Sequence, residues 1–327
     1  MTEFELIRRL TPLLPTNDTV VTGPGDDCAI LELGAPDTQT LFKTDAVVEG
    51  VHFRPDTEPE RIGHKALARC LSDIAAMGGS PVAALVTLGV PPGFHPERIE
   101  GIYRGLQRLA VRHQVAIVGG ETTTNPERLW ISIALLGSIP RGKALLRSGA
   151  CEGDAIFVSG ELGGSIEGHH LDFEPRLAEG RWLGSTGRIH CLMDVSDGVA
   201  GDLPKLLEAS GGLGAVISKS SLPIRRAAKV RARTGDLARP AVVAALTDGE
   251  DFELLFTVAA SDAVVVLDGW KREFPGVALT CIGKVTRGPG VLLQGPEGLR
   301  PLTARGYEHF KPTIPGDAGM AGVGRVV

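Results

Sequence analysis

This 327-residue sequence lacks the features that define several other classes of protein. It has no run of the roughly 18 apolar residues that a membrane-spanning helix needs. Its formal net charge of −5 leaves no basic field that would hold nucleic acid. Residues 1–10 include Glu3 and Glu5 and have no long apolar core, which argues against a signal peptide. We therefore expect neither a membrane protein nor a nucleic-acid-binding protein.

Cysteine is also scarce. The five cysteines lie far apart and form no CxxC motif: Cys28, Cys70, Cys151, Cys191 and Cys281. An odd, scattered set of this kind is typical of reduced thiols in a cytoplasm, and it argues against a zinc site. The sequence thus predicts a cytoplasmic protein.

The apolar and breaker patterns predict a mixture of helices and strands. Pro59 suits the first turn of a helix that ends at Gly78-Gly79, and apolar spacing predicts a second helix over 96–113. Residues 116–118 indicate a short strand that ends at Gly119. Strands and helices follow one another without strict βαβ order, so we expect an α+β fold.

The length predicts two domains, because domains usually span roughly 100–200 residues. A basic, glycine-rich stretch precedes Gly149, and we place the domain boundary there. The expected domains are 1–149 and 150–327. The tail after about 312 is rich in glycine and alanine and is expected to be loose.

Glycine is unusually abundant. It occurs 43 times, about twice its average usage of roughly 7%, and it stands beside acidic residues. Asp73 lies inside the first predicted helix, and five further acidic segments are predicted at strand ends. They are Gly25-Asp26-Asp27, Thr44-Asp45, Gly120-Glu121-Thr122, Asp194-Val195-Ser196-Asp197-Gly198 and Asp248-Gly249-Glu250-Asp251.

This combination of residues indicates a divalent metal together with phosphate. Magnesium takes oxygen ligands, and it usually combines one or two carboxylates with waters and substrate phosphates. Small neighbours let a polyphosphate approach closely, whereas acids without metal ions would repel a triphosphate. A single Asp-Gly pair is also typical of an ordinary turn. The pattern alone predicts a metal and phosphate site and leaves the turn interpretation open.

Seven motifs carry a resemblance to a known family. They are Gly23-Pro24-Gly25-Asp26-Asp27-Cys28-Ala29, Thr44-Asp45 with Glu49-Gly50-Val51-His52-Phe53, Leu71-Ser72-Asp73-Ile74-Ala75-Ala76-Met77-Gly78, Gly119-Gly120-Glu121-Thr122, Arg147-Ser148-Gly149-Ala150, Asp194-Val195-Ser196-Asp197-Gly198, and Gly249-Glu250-Asp251-Phe252-Glu253-Leu254-Leu255-Phe256-Thr257. In order and spacing they resemble the thiamine-monophosphate kinase family. The resemblance extends from near Glu3 to near Phe310.

The resemblance implies a fold and an assembly. The superfamily includes aminoimidazole ribonucleotide synthase, and its members are usually homodimers. We therefore expect an α+β, two-domain aminoimidazole ribonucleotide synthase-like fold. Its N-terminal mixed α/β domain would bind ATP and magnesium and form the dimer interface, and its C-terminal α/β domain would complete the nucleotide and substrate site.

The resemblance also implies ATP as co-substrate, several Mg²⁺ ions, and roles for single residues. The implied metal ligands are Asp27, Thr44, Asp45, Asp73, Glu121, Asp194 and Asp197. The implied nucleotide contacts are Gly120, Glu121, Arg147 and Ser196, and the implied contacts with thiamine monophosphate are His52, Glu250 and Tyr307. Asp45, Asp73 and Arg147 are the expected catalytic residues.

Two residues depart from the family pattern. Lys43 stands where the family usually has Ser, and Glu121 stands where it usually has Asp. An ammonium at Lys43 would repel a neighbouring magnesium or replace one, and the longer Glu121 side chain would change coordination. We expect a different metal count or affinity at a site that is otherwise retained.

The implied reaction moves the γ-phosphoryl group of ATP onto the phosphate of thiamine monophosphate. The acceptor oxygen is already anionic near neutral pH, because the second pKa of a phosphate ester is about 6. Catalysis would rest on in-line positioning and charge neutralisation, without a phospho-enzyme. The alternatives are a sibling ATP-dependent enzyme of the same superfamily and a non-catalytic nucleotide-binding protein.

Overall fold

Helices and strands are interspersed along the chain, which a computed structural model describes at residues 3–234, 239–303 and 306–307. Within these residues the α-helices are α1 Glu3–Leu10, α2 Pro59–Ala76, α3 Pro96–Arg112, α4 His169–Asp172, α5 Leu177–Thr186, α6 Val199–Ala209, α7 Arg226–Thr234, α8 Ala241–Thr247 and α9 Ala263–Glu273. The strands are β1 Val20–Thr22, β2 Ala29–Leu31, β3 Thr38–Val48, β4 Ser80–Val90, β5 Ala116–Thr124, β6 Trp130–Pro140, β7 Ala155–Ser159, β8 Ile189–Asp194, β9 Gly214–Ser218, β10 Leu254–Val258, β11 Leu279–Thr286, β12 Gly290–Gly295 and β13 Gly298–Pro301.

The described residues separate into two compact units. The first unit comprises 3–71 and 81–138, and the second comprises 72–80 together with the described part of 139–307. The chain passes into the second unit after Ser138. The domain boundary near Gly149 stays a prediction. The predicted loose tail after about 312 lies outside the described residues.

A six-stranded sheet forms the centre of the first unit. Its strand order is β1-β2-β3-β6-β4-β5; β1, β2 and β3 pair antiparallel, and β4 pairs parallel with β5. Burial alternates along β3 and β6, as it does in strands that have one covered face. Leu41, Val47 and Ile131 lie on the covered face, whereas Phe42 and Leu136 are exposed.

Helix α2 packs on the covered face of this sheet. The Sγ atom of Cys70 lies 3.7 Å from the carbonyl oxygen of Ile133 on β6. The helix begins at Pro59, because the backbone N–H of a first-turn residue has no partner within the helix. It ends before Gly78, whose φ of 73° suits glycine. The predicted helix from Pro59 to Gly78-Gly79 is confirmed.

Two glycines bring α2 and α3 into backbone contact. A Cβ atom on Gly63 would lie 1.9 Å from the carbonyl oxygen of Ile102. A Cβ atom on Gly105 would lie 1.9 Å from the carbonyl oxygen of Glu60. No side chain fits at either position, so the crossing of the two helices depends on glycine.

A seven-stranded sheet forms the centre of the second unit. Its order is β13-β12-β9-β11-β7-β10-β8, and its pairs are antiparallel apart from the parallel pair of β9 and β12. The central strands β7 and β10 are buried along their whole length, and Phe157 stacks on Phe256 at 5.5 Å. Leu203 and Leu206 of α6 join this core. Strand β8 lies at one edge and ends at Asp194.

Some acidic segments lie elsewhere than the sequence predicts. Thr44-Asp45 is inside β3, Gly120-Glu121-Thr122 is inside β5, and residues 248–251 follow helix α8 rather than a strand. The prediction of a strand end at Gly119 is wrong because β5 continues to Thr124. A Cβ atom on Gly120 would lie 1.8 Å from the carbonyl oxygen of Val86, so glycine serves the close approach of β4.

Candidate functional site

Asp73 and Asp194 form a buried pair of carboxylates in the second unit. Asp73 lies in the last turn of α2, Asp194 is the last residue of β8, and their exposed fractions are 6% and 3%. Their carboxylate oxygens lie within 4.8 Å of each other, and the Ser72 hydroxyl donates to Asp194 Oδ2 at 2.6 Å. Two carboxylates this close repel each other in a low-dielectric interior, and a bound cation relieves that repulsion.

Backbone hydrogen bonds join residues 194–198 to the acidic segment 248–253. The Glu250 N–H donates to the Ser196 carbonyl at 2.7 Å, and the Phe252 N–H donates to the Val195 carbonyl at 2.8 Å. The Tyr307 N–H donates to the Asp197 carbonyl at 3.0 Å. The second unit therefore brings together four residues that the sequence predicts for nucleotide, metal and substrate: Ser196, Asp197, Glu250 and Tyr307.

The segment 248–253 carries backbone strain. Glu250 and Phe252 have φ values of 51° and 50°, a region that residues other than glycine rarely adopt. The Glu250 side chain is buried, with Oε2 3.4 Å from His170 Nδ1, and the Phe252 ring stacks on Phe173 at 4.1 Å. Strain of this kind typically concentrates at functional sites.

The glycine-rich segment 160–168 holds the strained loop in place. The Gly163 N–H donates to Asp251 at 2.9 Å, and the Gly164 N–H donates to Asp248 at 2.8 Å. Burial raises the pKa of Asp251 to about 7, although Arg225, 2.7 Å away, opposes the rise. This role of the glycine-rich segment was not predicted from the sequence, because the partners lie in a distant part of the chain.

Asp197 is paired with a lysine that was not predicted from the sequence. Lys205 Nζ donates to Asp197 at 2.7 Å and to the fully buried Asp202 at 2.9 Å. Burial raises the pKa of Asp202 to about 6, and Lys205 limits the rise. Burial also opposes the charge on Lys205, but Asp202 and Asp197 outweigh it and raise the lysine pKa above its ordinary value. The i, i+3 spacing of Asp202 and Lys205 was the signal available in the sequence.

Arg147 lies on a segment that runs beside β8. The Leu192 N–H donates to the Leu146 carbonyl at 2.9 Å, and the Ser210 hydroxyl donates to the Arg147 carbonyl at 3.5 Å. The Leu145 N–H donates to the carbonyl of Met77, just beyond the end of α2. The segment therefore lies between the two chain regions that supply Asp73 and Asp194.

Asp45 binds an arginine in the first unit. Arg69 on α2 donates two hydrogen bonds to the Asp45 carboxylate, both at 3.2 Å. Burial favours the neutral acid, but Arg69 and Lys43 outweigh it and hold the pKa of Asp45 below its ordinary value. Arg69 was not predicted, although it precedes Asp73 by one helical turn. Lys43 thus favours the charged form of the Asp45 carboxylate.

The remaining predicted metal ligands of the first unit occupy different places. Thr44 projects to the exposed face of β3, with its hydroxyl 3.4 Å from that of Ser132, whereas Asp45 projects to the face of α2. Glu121 is exposed on the edge strand β5, where its carboxylate accepts the Thr122 N–H at 3.0 Å. Asp27 is buried and lies in the segment that connects β1 to β2.

His52 is buried in the turn that follows β3. Its Nδ1 accepts the Val48 N–H at 3.0 Å, so the neutral ring carries its proton on Nε2. The buried ammonium of Lys65 donates to the His52 carbonyl. These contacts fix the position of the His52 ring and its tautomer.

The donor set fits magnesium. The acidic residues Asp27, Asp45, Asp73, Glu121, Asp194 and Asp197 offer only oxygen, as does Thr44. Hard oxygen donors are what Mg²⁺ prefers in proteins, and Asp73 and Asp194 are close enough to share an ion.

The fold and the acidic residues define a class of protein. The family described as AIR synthase related protein, N-terminal domain, matches residues 25–139. A solved structure, AaThiL complexed with AMPPCP and TMP, superposes with a TM-score of 0.80 at 29% identity over 94% of this chain and 97% of that one. The chain thus has the α+β, two-domain aminoimidazole ribonucleotide synthase-like fold that its sequence predicts.

Comparison with curated proteins narrows the class to one family. The thiamine-monophosphate kinase of Rhodopirellula baltica is 40% identical over 83% of this chain and 85% of its own length. That of Bacillus subtilis is 35% identical over 95% of this chain and its full length. The chain belongs to the thiamine-monophosphate kinase family.

Proposed function

We propose that this chain transfers the γ-phosphoryl group of ATP to thiamine monophosphate and releases thiamine diphosphate and ADP. The proposal rests on the buried pair of Asp73 and Asp194 in a chain of this family. Backbone hydrogen bonds connect residues 194–198 to the strained loop that carries Glu250. The complex of AaThiL with AMPPCP and TMP supports it, because that relative binds an ATP analogue together with TMP.

We assign the predicted contacts by their chemistry. Arg147 suits the ATP phosphates, because a guanidinium binds phosphate oxygens as a fork. An imidazole donates a hydrogen bond to a phosphate oxygen, so His52 suits the phosphate of thiamine monophosphate. The buried Glu250 carboxylate complements the positive charge of the thiazolium ring. Gly120 and Ser196 complete the nucleotide contacts, and Tyr307 completes the substrate contacts.

Seven residues would hold magnesium: Asp27, Thr44, Asp45, Asp73, Glu121, Asp194 and Asp197. Bound magnesium would neutralise the charge that develops on the transferring phosphoryl group. Thr44 and Asp45 leave opposite faces of β3, so we infer that their side chains do not share one ion. Asp197 would have to loosen its ion pair with Lys205 to bind a metal.

We propose that the exposed face of the six-stranded sheet pairs with a second copy of the chain. Large apolar side chains lie on this face in four neighbouring strands: Phe42, Leu85, Val118 and Leu136, with exposed fractions of 45%, 47%, 64% and 38%. A sheet with one covered face buries its second apolar face when another layer packs on it. A homodimer supplies that layer.

No helix in the described part of the chain is long and apolar enough to cross a membrane. The five cysteines are free thiols, two of them exposed. Free exposed thiols persist where glutathione and thioredoxin keep them reduced. We propose a cytoplasmic location on that basis.

A turnover assay with ATP, Mg²⁺ and thiamine monophosphate tests the function. Thiamine diphosphate is followed by fluorescence after oxidation, and we expect product only when all three components are present. Magnesium-dependent ATP binding without product would instead favour a sibling enzyme or a non-catalytic nucleotide-binding protein. Those alternatives are kept because Lys43 and Glu121 both depart from the family pattern.

A further inference from the structure

A second cluster of metal-ligating side chains lies in the second unit and plays no part in the proposed reaction. Cys151, Asp154 and His190 each offer one ligand atom, and these three atoms lie within 4.8 Å of one another. His190 is near the start of β8, and Asp194 is at its end. Asp194 lies four residue steps beyond His190 along the strand, which corresponds to about 13 Å.

The local backbone builds this cluster from a turn and a strand. The Asp154 N–H donates to the Cys151 carbonyl at 3.1 Å, and the Cys151 N–H donates to Asp154 Oδ2 at 2.8 Å. The turn lies against β8 because Gly149 has no side chain: a Cβ atom there would lie 2.4 Å from the His190 carbonyl oxygen. The sequence argues against a zinc site, because its cysteines are scattered and form no CxxC motif. The fold brings His190 to Cys151 from a strand far along the chain.

The cluster is open on one side and buried on the other. The Asp154 side chain is 3% exposed, that of His190 is 33% exposed, and Cys151 is exposed. His190 Nδ1 lies 2.8 Å from Asp154 Oδ2, and the Thr257 hydroxyl donates to the same oxygen at 3.1 Å. The buried Asp154 carboxylate is therefore held in position by Thr257, while solvent reaches the Cys151 sulfur and the His190 imidazole.

We propose that Cys151, Asp154 and His190 form a binding site for one zinc ion. Thiolate, imidazole and carboxylate are the three ligand types of zinc in proteins, and a water would complete a tetrahedron. Magnesium is excluded chemically, because it prefers oxygen ligands only. The site does not depend on the proposed kinase activity.

Zinc binding at this cluster requires one proton to leave. The Cys151 thiol becomes a thiolate and releases its proton to solvent. His190 would bind through a ring nitrogen as a neutral imidazole, which is the form that binds metal ions. Zinc affinity therefore rises with pH. The neighbouring Cys191 is fully buried in the hydrophobic core and is not one of the three ligands.

The occupied site would tie the turn at Cys151–Asp154 to β8. The turn continues the segment that carries Arg147, and its Ala150 N–H donates to the Ser210 hydroxyl at 3.1 Å. A ligand that binds only the folded state stabilises it by mass action. We therefore expect zinc to raise the melting temperature of the protein.

Cobalt titration of the full chain tests the site. The protein is stripped with chelator, kept reduced, and saturated with Mg²⁺ so that the carboxylate sites are occupied. We expect one equivalent of Co²⁺ to give a thiolate-to-cobalt charge-transfer band that zinc abolishes. Cys151→Ser should remove the band and weaken zinc binding at least about tenfold. Cys151 is exposed, so this substitution leaves the fold intact.

Cys281→Ser is the matched control, because Cys281 is the other exposed thiol. It should leave the band and the affinity unchanged, and His190→Gln should weaken both. A band that survives in Cys151→Ser, or the absence of any band in the parent protein, would overturn the proposal. A zinc-dependent rise in melting temperature that is equal in the parent and in Cys151→Ser would overturn it as well.

Discussion

The buried carboxylates of Asp73 and Asp194 repel each other when no cation accompanies them. Asp73→Asn should remove that repulsion and also remove a magnesium ligand. We expect turnover to fall on the order of 100-fold or more, while the melting temperature in chelator stays the same or rises. Assays of thiamine diphosphate formation and thermal unfolding, with and without Mg²⁺, measure both effects.

Asp268→Asn on the exposed side of α9 is the control for Asp73→Asn. It should change neither turnover nor the magnesium-dependent rise in melting temperature. If Asp73→Asn unfolds the chain in chelator, the carboxylate pair is structural and its assignment to magnesium fails.

Lys43 contributes positive charge beside Asp45, together with Arg69. Lys43→Ser should lower the Mg²⁺ concentration needed for half-maximal activity by about fivefold, which corresponds to the ~1 kcal/mol of a partly exposed charge pair. Magnesium titrations of activity for the parent, Lys43→Ser and the exposed-site control Lys271→Ser measure the change. Superimposable curves for all three would show that Lys43 has no effect on the metals.

At the scale of single elements, the contact between α2 and α3 gives a stability prediction. Gly105→Ala should destabilise the fold by about 3 kcal/mol, because the new methyl group would overlap the Glu60 carbonyl. Urea unfolding measures the free energy. Gly184→Ala on α5 is the control: its Cβ meets only Leu145 at 3.9 Å, so it should stabilise by about 0.5–1 kcal/mol. Equal effects of the two substitutions would contradict the close helix contact.

The elements that the sequence predicts well are those with local signals. The helices α2 and α3 have proline at the start, apolar residues at helical spacing and, for α2, a glycine stop, and both predictions are confirmed. Gly119-Gly120 suggests a strand end because glycine ends many strands, whereas here Gly120 permits the close pairing of β5 with β4. The sequence does not reveal strands β9, β12 and β13, because they are short. Strand β9 pairs with the distant β12, and β13 pairs with β12 in a hairpin.

The candidate site was also predictable only in part, because only some of its residues stand in local sequence signals. Asp73, Asp194, Asp197 and Glu250 stand in recognisable local motifs. Their partners Arg69, Lys205 and His170 do not, because only the folded chain brings a guanidinium, an ammonium or an imidazole to those carboxylates. Residue type and spacing identify the acids, and tertiary packing decides which cation each acid meets.

At the scale of the whole molecule, the exposed sheet face predicts the oligomeric state. Leu85→Asp places a charge in the centre of the proposed interface, where burial without a partner is costly. We expect the parent chain to sediment with the mass of two chains and the variant with the mass of one. Val264→Asp, on an exposed part of α9, should leave the dimer intact. A parent protein that sediments as one chain at micromolar concentration would rule out the proposed dimer.

The glycine contacts between α2 and α3 also bear on how the gene tolerates mutation. Every glycine codon begins with GG, so any missense change of a single nucleotide replaces glycine with a residue that has a Cβ atom. At Gly63 and Gly105 each such residue meets a main-chain oxygen. These two codons therefore have no conservative single-nucleotide neighbour, and random mutagenesis followed by selection for a folded product should leave them invariant while Gly184 drifts.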